Sequence, residues 1–246
     1  KQGKRHKIIL MMDLGDIREG YVDEEELIAA AVETEKLSHV DLYGIGTNLT
    51  CFSFIQADEE KMECLAEMRR KVENAAGHTL EIVSGGNSAA LDLMMRGGIC
   101  EGVDNFRLGE SLLFGKERSR YTFLPGTRND GFILECEVVE AKVKPSLPWG
   151  TAGGDSYGRK PVFTDRGEKR KKVICAIGRQ DFDAETATPV DEGILILGAS
   201  SDHLMLDVTD SVKEYKVGDI VELRLGYFSV LRAFTSPYVE KIFLKK

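Results

Sequence analysis

The run Ile8-Ile9-Leu10-Met11-Met12, closed by Asp13-Leu14-Gly15-Asp16 and followed by Asp23 and the apolar stripe Leu27, Ile28, Ala31 and Val32, sets the fold class of this 246-residue chain. Five consecutive apolar residues ending at a polar, glycine-containing loop read as a strand buried on both faces. Asp23 is placed to cap a helix, with Glu26 three residues on in the capping-box position and the apolar stripe along one face. The pattern recurs three times. Residues 42–46 form a short strand, and Asp58 opens a helix in which Met62, Leu65, Met68 and Val72 share a face and Gly77 marks the end. Residues 80–83 are the third strand, followed by Ser84-Gly85-Gly86-Asn87-Ser88 and a helix through 91–95. Residues 105–108 are the fourth, leading through Gly109 into a short helical stretch at 111–114.

Strands alternating with helices predict parallel βαβ units. After about residue 128 the texture changes: Phe132, Leu134, Cys136 and Val138 alternate with Ile133, Glu135 and Glu137, the period of a strand with one wet face. Further strands are expected at 172–178, 193–197, 204–208, 220–225 and 239–244, and the charged run 166–172 reads as a solvated loop. Four βα units fill only about half the length of a closed eight-stranded barrel, and four parallel strands alone leave both edges open. The expected fold is therefore α/β plus β. Residues 1–127 would be the C-terminal half of a TIM (β/α)8 barrel whose first half is missing, and 128–246 an all-β domain. The start Lys1-Gln2-Gly3-Lys4, without a methionine, points the same way.

Composition narrows the function classes. With 41 acidic against 33 basic residues and a net charge of -8, the chain has no net positive field to displace counterions from nucleic-acid phosphates. No apolar run reaches the roughly 18–20 residues a membrane span requires, and no signal peptide opens the chain. The five cysteines (Cys51, Cys64, Cys100, Cys136, Cys175) are odd in number and none lies at metal-ligand spacing from another. Buried free thiols in a reducing cytoplasm, and no metal site, are expected.

The C-terminal ends of the four strands are where such folds place chemistry. Ser88 falls at a helix start, where free N–H groups favour an anion. Gly109 permits close backbone approach, and the amides of Gly109 and Glu110 open another helical turn. If these strands are the seventh and eighth of a barrel, their loops form a phosphate cup. Each residue also has a plain reading, Ser88 as a helix cap and Gly109 as a turn. Arg107, within the fourth strand, would point into the barrel as a permanently charged donor, or form a salt bridge to Asp104 or Glu101.

These segments resemble the pyridoxal-phosphate racemases of the alanine racemase fold, most closely their ornithine racemase and predicted amino-acid racemase branch. The resemblance is carried by residues 13–20 (DLGDIREG), 46–51 (GTNLTC), 84–88 (SGGNS) and 105–110 (NFRLGE), and continues through 176–181, 198–203 and 235–238, so it spans essentially the whole chain. It implies an alanine-racemase-type half barrel, pyridoxal 5'-phosphate as cofactor, a small amino-acid substrate and a homodimer with shared active sites. Ser88 and the backbone of Gly109 and Glu110 would hold the cofactor phosphate, with the hydroxyl of Tyr238. Arg107 would face the pyridine nitrogen, and Asn48 would stand where alanine racemases place a histidine behind the ring. Arg18 resembles the arginine that supports the substrate carboxylate and the second base. Tyr157 resembles the tyrosine base acting across the dimer interface, with Ser201 and Asp202 reaching the partner's site beside it. A donor-only guanidinium at the ring nitrogen keeps that nitrogen unprotonated, which favours prompt return of a proton to Cα over transamination or decarboxylation.

The same resemblance places the Schiff-base lysine on the first barrel strand, well before residues 13–20. Lys7 stands at the wrong end of its strand, Lys169, Lys171 and Lys172 lie in the charged loop, and Lys245 and Lys246 are tail. As written, the chain is expected to be an inactive fragment of a racemase for ornithine or another basic amino acid. Three rival readings remain. A non-catalytic pyridoxal-phosphate-binding protein is disfavoured by the long β domain. A decarboxylase of the same two-domain plan would carry a Glu-Pro-Gly-Arg motif, which the sequence lacks. A truncated product with a structural or interaction role would expose an open barrel edge.

Overall fold

The computed structural model describes residues 3–155 and 158–244. The chain divides into two units, Lys1–Arg128 and Asn129–Lys246. In the first, β1 (His6–Met12), β2 (Val40–Thr47), β3 (Ile82–Asn87) and β4 (Asn105–Arg107) form a parallel sheet in sequence order. The helices between them are α1 (Glu24–Glu35), α2 (Glu59–Ala76) and the short α3 (Leu91–Met95), with α4 (Glu110–Phe114) after β4. This is half of a (β/α)8 barrel.

The helix boundaries follow from local chemistry. Asp23 accepts the Glu26 N–H at 3.0 Å and Asp58 accepts the Lys61 N–H at 2.9 Å, each satisfying a donor that the first helical turn leaves free. Gly77 ends α2 in the left-handed conformation, φ 79°. Leu27 and Ala31 of α1 and Met62, Leu65, Met68 and Val72 of α2 pack against Leu42, Ile45 and Val83 of the sheet to make one core. β2 and β3 approach closely at Gly44, where a Cβ would stand 2.1 Å from the Ile82 carbonyl oxygen. Because all four strands run the same way, their C-terminal ends share one end of the sheet.

β3 extends further than expected. Residues 84–87, read from sequence as a loop, stay in the strand and pair with β4 through Ser84 with Asn105 and Asn87 with Arg107. Absence of bulk explains it, since a side chain at Gly85 would strike Val103 at 2.6 Å. The turn that follows begins at Ser88 and leads into α3.

The second unit is a six-stranded antiparallel sheet. Its strands are β5 (Ile133–Lys144), β6 (Arg170–Cys175), β7 (Ala187–Pro189), β8 (Leu195–Ala199), β9 (Leu204–Asp207) and β10 (Ile220–Leu225), in the order β7-β10-β5-β6-β9-β8. Leu134, Cys136 and Val138 are buried and Ile133, Glu135 and Glu137 exposed, as the alternation predicts. Burial pushes the Cys175 thiol up to about 12 and the Cys136 thiol higher still, so both are inert packing groups.

Three expectations for this half are corrected. Arg170, Lys171 and Lys172 are not loop but the first half of β6, where Asp207, Asp210 and Glu214 pair with the charges of Arg170 and Lys171. Residues 239–244 alternate like a strand yet form none, and Ile242, Phe243 and Leu244 are exposed. The chain instead forms a helix, α5 (Tyr227–Thr235), that aromatic and β-branched content had hidden; it buries Ser229, Val230 and Ala233. Among the described residues no helix is long and apolar enough to cross a membrane.

Candidate functional site

The C-terminal ends of β3 and β4 converge on one oxygen. Ser88 is buried (3% exposed), and its Oγ accepts the Gly109 N–H at 3.3 Å and the Ser111 N–H at 3.1 Å while lying 3.0 Å from Ser111 Oγ. Ser88 is not the cap of its own turn. Asn87 takes that place, accepting the Ala89 N–H at 2.8 Å, which leaves the Ser88 hydroxyl to reach the next strand's loop. The N-cap residue of α4, Gly109, has no side chain of its own to cap the turn, and a Cβ on it would meet nothing within 4 Å. Two amides and the Ser111 hydroxyl thus gather around Ser88 Oγ beside the exposed Gly109, a donor set that suits an oxyanion. The Glu110 side chain is buried and turned to Arg118, 3.3 Å away, so only its backbone is available here.

Arg107 ends β4 and reaches back across the sheet. One guanidinium nitrogen donates to Ser84 Oγ and the other to the Thr47 carbonyl at 2.8 Å. It does not pair with Asp104, which instead accepts the Val83 N–H and lies near Arg69, nor with Glu101. The residue as a whole is open to solvent because the sheet is open, but its guanidinium is held against the strands. Burial lowers its pKa from the ordinary arginine value. The charges of Glu19 and Cys51 oppose that shift and the charge of Arg18 adds to it, which brings the loops after β1 and β2 into the same electrostatic neighbourhood.

Those loops are built on carboxylates. Asp13 accepts the N–H groups of Gly15, Ile17 and Arg18 at 2.9–3.1 Å. The Arg18 side chain is exposed, with Nε 3.0 Å from Glu19 Oε2, an ion pair outside hydrogen-bond angle. Asp16, 1% exposed, accepts the N–H groups of Cys51, Phe52 and Ser53. Asn48 is buried behind the same loop; its Oδ1 accepts from Asn87 at 2.7 Å and its Nδ2 donates to Cys51 Sγ at 3.2 Å.

The first unit therefore brings together Arg18, Asn48, Ser88, Arg107, Gly109 and the backbone of Glu110 of the sequence-based set. Sequence reading missed Asp16, Asn87 and Ser111. Asp16 and Asn87 lay inside quoted motifs without a role, and Ser111 passed as an ordinary helix residue. The expected burial of the thiols holds for Cys136 and Cys175, whereas Cys64 and Cys100 are partly buried and Cys51 is exposed. The remaining candidates belong to the second unit, and the cradle forms without them. Tyr238 is exposed, its N–H bonded to Ser236 Oγ at 3.1 Å. Ser201 and Asp202 are exposed in the β8–β9 turn, Asp202 Oδ1 lying 2.9 Å from His203 Nδ1. That bond holds the Asp202 carboxyl below its usual range. Tyr157 lies outside the described residues. No group of three or more metal-ligating side chains occurs among the described residues.

The family model for the alanine racemase N-terminal domain matches residues 1–117. Along 238 residues, 97% of this chain, the sequence is 45% identical to an ornithine racemase of Acetoanaerobium sticklandii. The chain belongs to the alanine racemase family. It is also 43% identical over 237 residues, 96% of its length, to a lysine racemase of Thermotoga maritima. The chain spans 67% and 65% of these two curated relatives, about two thirds of their length. Among solved structures, the alanine racemase of a D-cycloserine-producing Streptomyces lavendulae superposes with a TM-score of 0.62 at 18% identity, covering 99% of this chain and 68% of that one. At that identity the likeness shows the fold alone. The family is pyridoxal-phosphate-dependent, and the anion cradle of Ser88, Gly109 and Ser111 beside a fixed guanidinium fits a phosphorylated pyridine.

Proposed function

We propose that the complete protein interconverts the L and D forms of an amino acid, ornithine or another with a distal amino group, with pyridoxal phosphate as cofactor. Two curated relatives named for ornithine and lysine support the substrate class, since both side chains end in an ammonium. The observation that carries the reading is Arg107, held across β2 and β3 by two hydrogen bonds beside amides that converge on Ser88. When bound, the cofactor supplies an electron sink that makes the substrate Cα–H acidic.

The chain's own residues divide the remaining work. Ser88 and the backbone amides of Gly109 and Glu110 bind the phosphate, joined by the Tyr238 hydroxyl. Arg107 donates to the ring nitrogen and, having no acceptor atom, meets it unprotonated. Asn48 would lie behind the ring. Arg18 holds the substrate carboxylate. Tyr157 moves a proton on one face of Cα, with Ser201 and Asp202 beside it, across a homodimer interface. The second proton carrier is a lysine from outside residues 1–246. In the first unit Lys7, Lys36, Lys61 and Lys71 are paired with acidic groups on strand starts and helices, and Lys116 lies over the Tyr121 ring. Without that lysine the 246-residue chain is inactive. Residues 1–127 form the cofactor-binding domain and 128–246 the C-terminal β domain, in a cytoplasmic enzyme whose five cysteines stay free thiols.

The test is a scan of amino acids for loss of optical rotation with a protein that includes its upstream coding sequence. Ornithine or lysine should racemise; no activity on any amino acid overturns the reading.

A further inference from the structure

Asp16 stands two residues before Arg18 and is among the most buried ionisable side chains of the first unit. Both of its oxygens are occupied: Oδ2 accepts the Cys51 N–H at 3.0 Å and the Phe52 N–H at 2.9 Å, and Oδ1 accepts the Ser53 N–H at 3.0 Å. Three successive amides aimed at one carboxylate form an anion nest filled from another loop of the same chain. The contact joins residues 35 to 37 positions apart, so it is not a local turn device. On each side of it a β-branched residue adopts the left-handed conformation such residues avoid, Ile17 at φ 53° and Thr50 at φ 62°. Backbone of this kind persists where surrounding contacts over-determine it, and Asp16 supplies them.

The two ends of this contact lead to the two ligands of the site. On one side, Asp13 fixes the Arg18 N–H at 3.0 Å, one peptide beyond Ile17. On the other, Cys51 accepts from the Asn48 side-chain amide at 3.2 Å, and Asn87 links Asn48 to the turn that carries Ser88. We propose that Asp16 is a positioning residue: it locks the loop after β2, which carries Asn48, to the loop after β1, which carries Arg18, so that the substrate-carboxylate contact and the ring contact are set as one unit. The proposal rests on the racemase reading above.

The experiment uses the complete protein with Asp16→Asn, which keeps the side chain's shape but removes its charge and turns one acceptor toward the amides into a donor. Hydrogen exchange at the Cys51, Phe52 and Ser53 amides should speed by at least about tenfold. KM for the amino acid should rise about tenfold with kcat per folded enzyme nearly kept. Affinity of the cofactor-free protein for pyridoxal phosphate, read by fluorescence, should fall several-fold. A merely structural Asp16 would lower the folded fraction and leave KM and cofactor affinity untouched; that result overturns the proposal, as does unchanged exchange at the three amides. Wild-type protein that neither binds pyridoxal phosphate nor racemises removes the racemase reading and this proposal with it. Active wild type with an unaltered Asp16→Asn KM removes the Asp16 assignment alone. Should Asp16→Asn not fold, Asp16→Glu, which keeps the charge and adds a methylene, takes its place with the same KM expectation, and an unchanged KM again overturns the proposal.

Discussion

Ser88→Ala separates a cradle from a packing contact. The substitution deletes one buried hydroxyl and strands two amides, Ser111 N–H at 3.1 Å and Gly109 N–H at 3.3 Å, together with the Ser111 hydroxyl at 3.0 Å. A buried donor left without a partner costs about 1–3 kcal/mol. The longer Gly109 contact belongs at the bottom of that range and faces open space that water can fill, so the sum is about 2 kcal/mol. For a unit of this size that is a fall of roughly 8 °C in melting temperature. A phosphate oxygen then loses one hydrogen bond to a charged group, worth about 1.5–3 kcal/mol, or roughly a ten- to hundredfold loss of affinity. The assay is a thermal melt of the purified chain at rising pyridoxal phosphate concentration, since a ligand that binds only the folded state raises the midpoint with the logarithm of its concentration over Kd. Ser88→Thr, which keeps the hydroxyl, should retain most of the ligand-dependent rise. If Ser88→Ala lowers the midpoint and the ligand-dependent rise stays at the wild-type size, Ser88 is a structural link between β3 and α4 and the cradle assignment is wrong.

The other predictions use different handles on the same unit. Gly109→Ala should melt like wild type, because its Cβ meets no atom within 4 Å, yet bind pyridoxal phosphate more weakly by titration; unchanged affinity removes Gly109 from the cradle. Gly44→Ala should lose about 3 kcal/mol or more in urea denaturation, since the new Cβ stands 2.1 Å from the Ile82 oxygen. Arg107→Glu in the complete protein should raise transamination or decarboxylation relative to racemisation; an unchanged product ratio removes the account given of Arg107. Glu117, 1% exposed, accepts from Ser119, Arg120 and Thr122. Burial pushes its pKa up, but these bonds outweigh burial and hold it below the ordinary value. A lowered folded pKa stabilises above the unfolded value of about 4.3 and is lost as pH falls through the folded one. Glu117→Gln should therefore melt lower than wild type at pH 7, with the gap closing below about pH 4; a gap that persists there refutes the assignment.

What the sequence disclosed was chemistry carried by neighbours in the chain. Asp23 and Asp58 announced their helices because the amide each caps is three residues away, and Gly77 announced an end because few other residues adopt φ 79° without strain. Ser88 and Arg107 were legible as strand-end residues. The failures share a cause: each needed a partner far along the chain. Residues 84–87 lack strand composition, and only the burial of Gly85 under Val103 makes them one. Residues 239–244 have that composition and pair with no strand of the sheet. Asp16 sits in a motif where a turn carboxylate is unremarked, and its partners lie beyond residue 50. Asn87 was read as loop, although its side chain holds Asn48 and Leu49 and caps the turn after it.

Net charge was the least informative of the global quantities. A chain of charge -8 is a poor prospect for binding an anion, yet the strand ends hold the amides of the Gly109 turn, Arg107 and Arg18. The carboxylates at this end face inward to the backbone: Asp13 takes three amides, Asp16 three more, and Glu117 those of Ser119, Arg120 and Thr122. Their charge is met by N–H dipoles at about 3 Å. Arg107 donates to Ser84 Oγ and the Thr47 carbonyl but is ion-paired to no carboxylate among the described residues; Glu19 is ion-paired to Arg18 and acts on Arg107 only through its field. Local potential follows from which groups are already met by dipoles, not from the sum of formal charges. An acidic protein can thus keep a cationic site by using its carboxylates as loop anchors, and the same anchors fix the backbone that presents the cations.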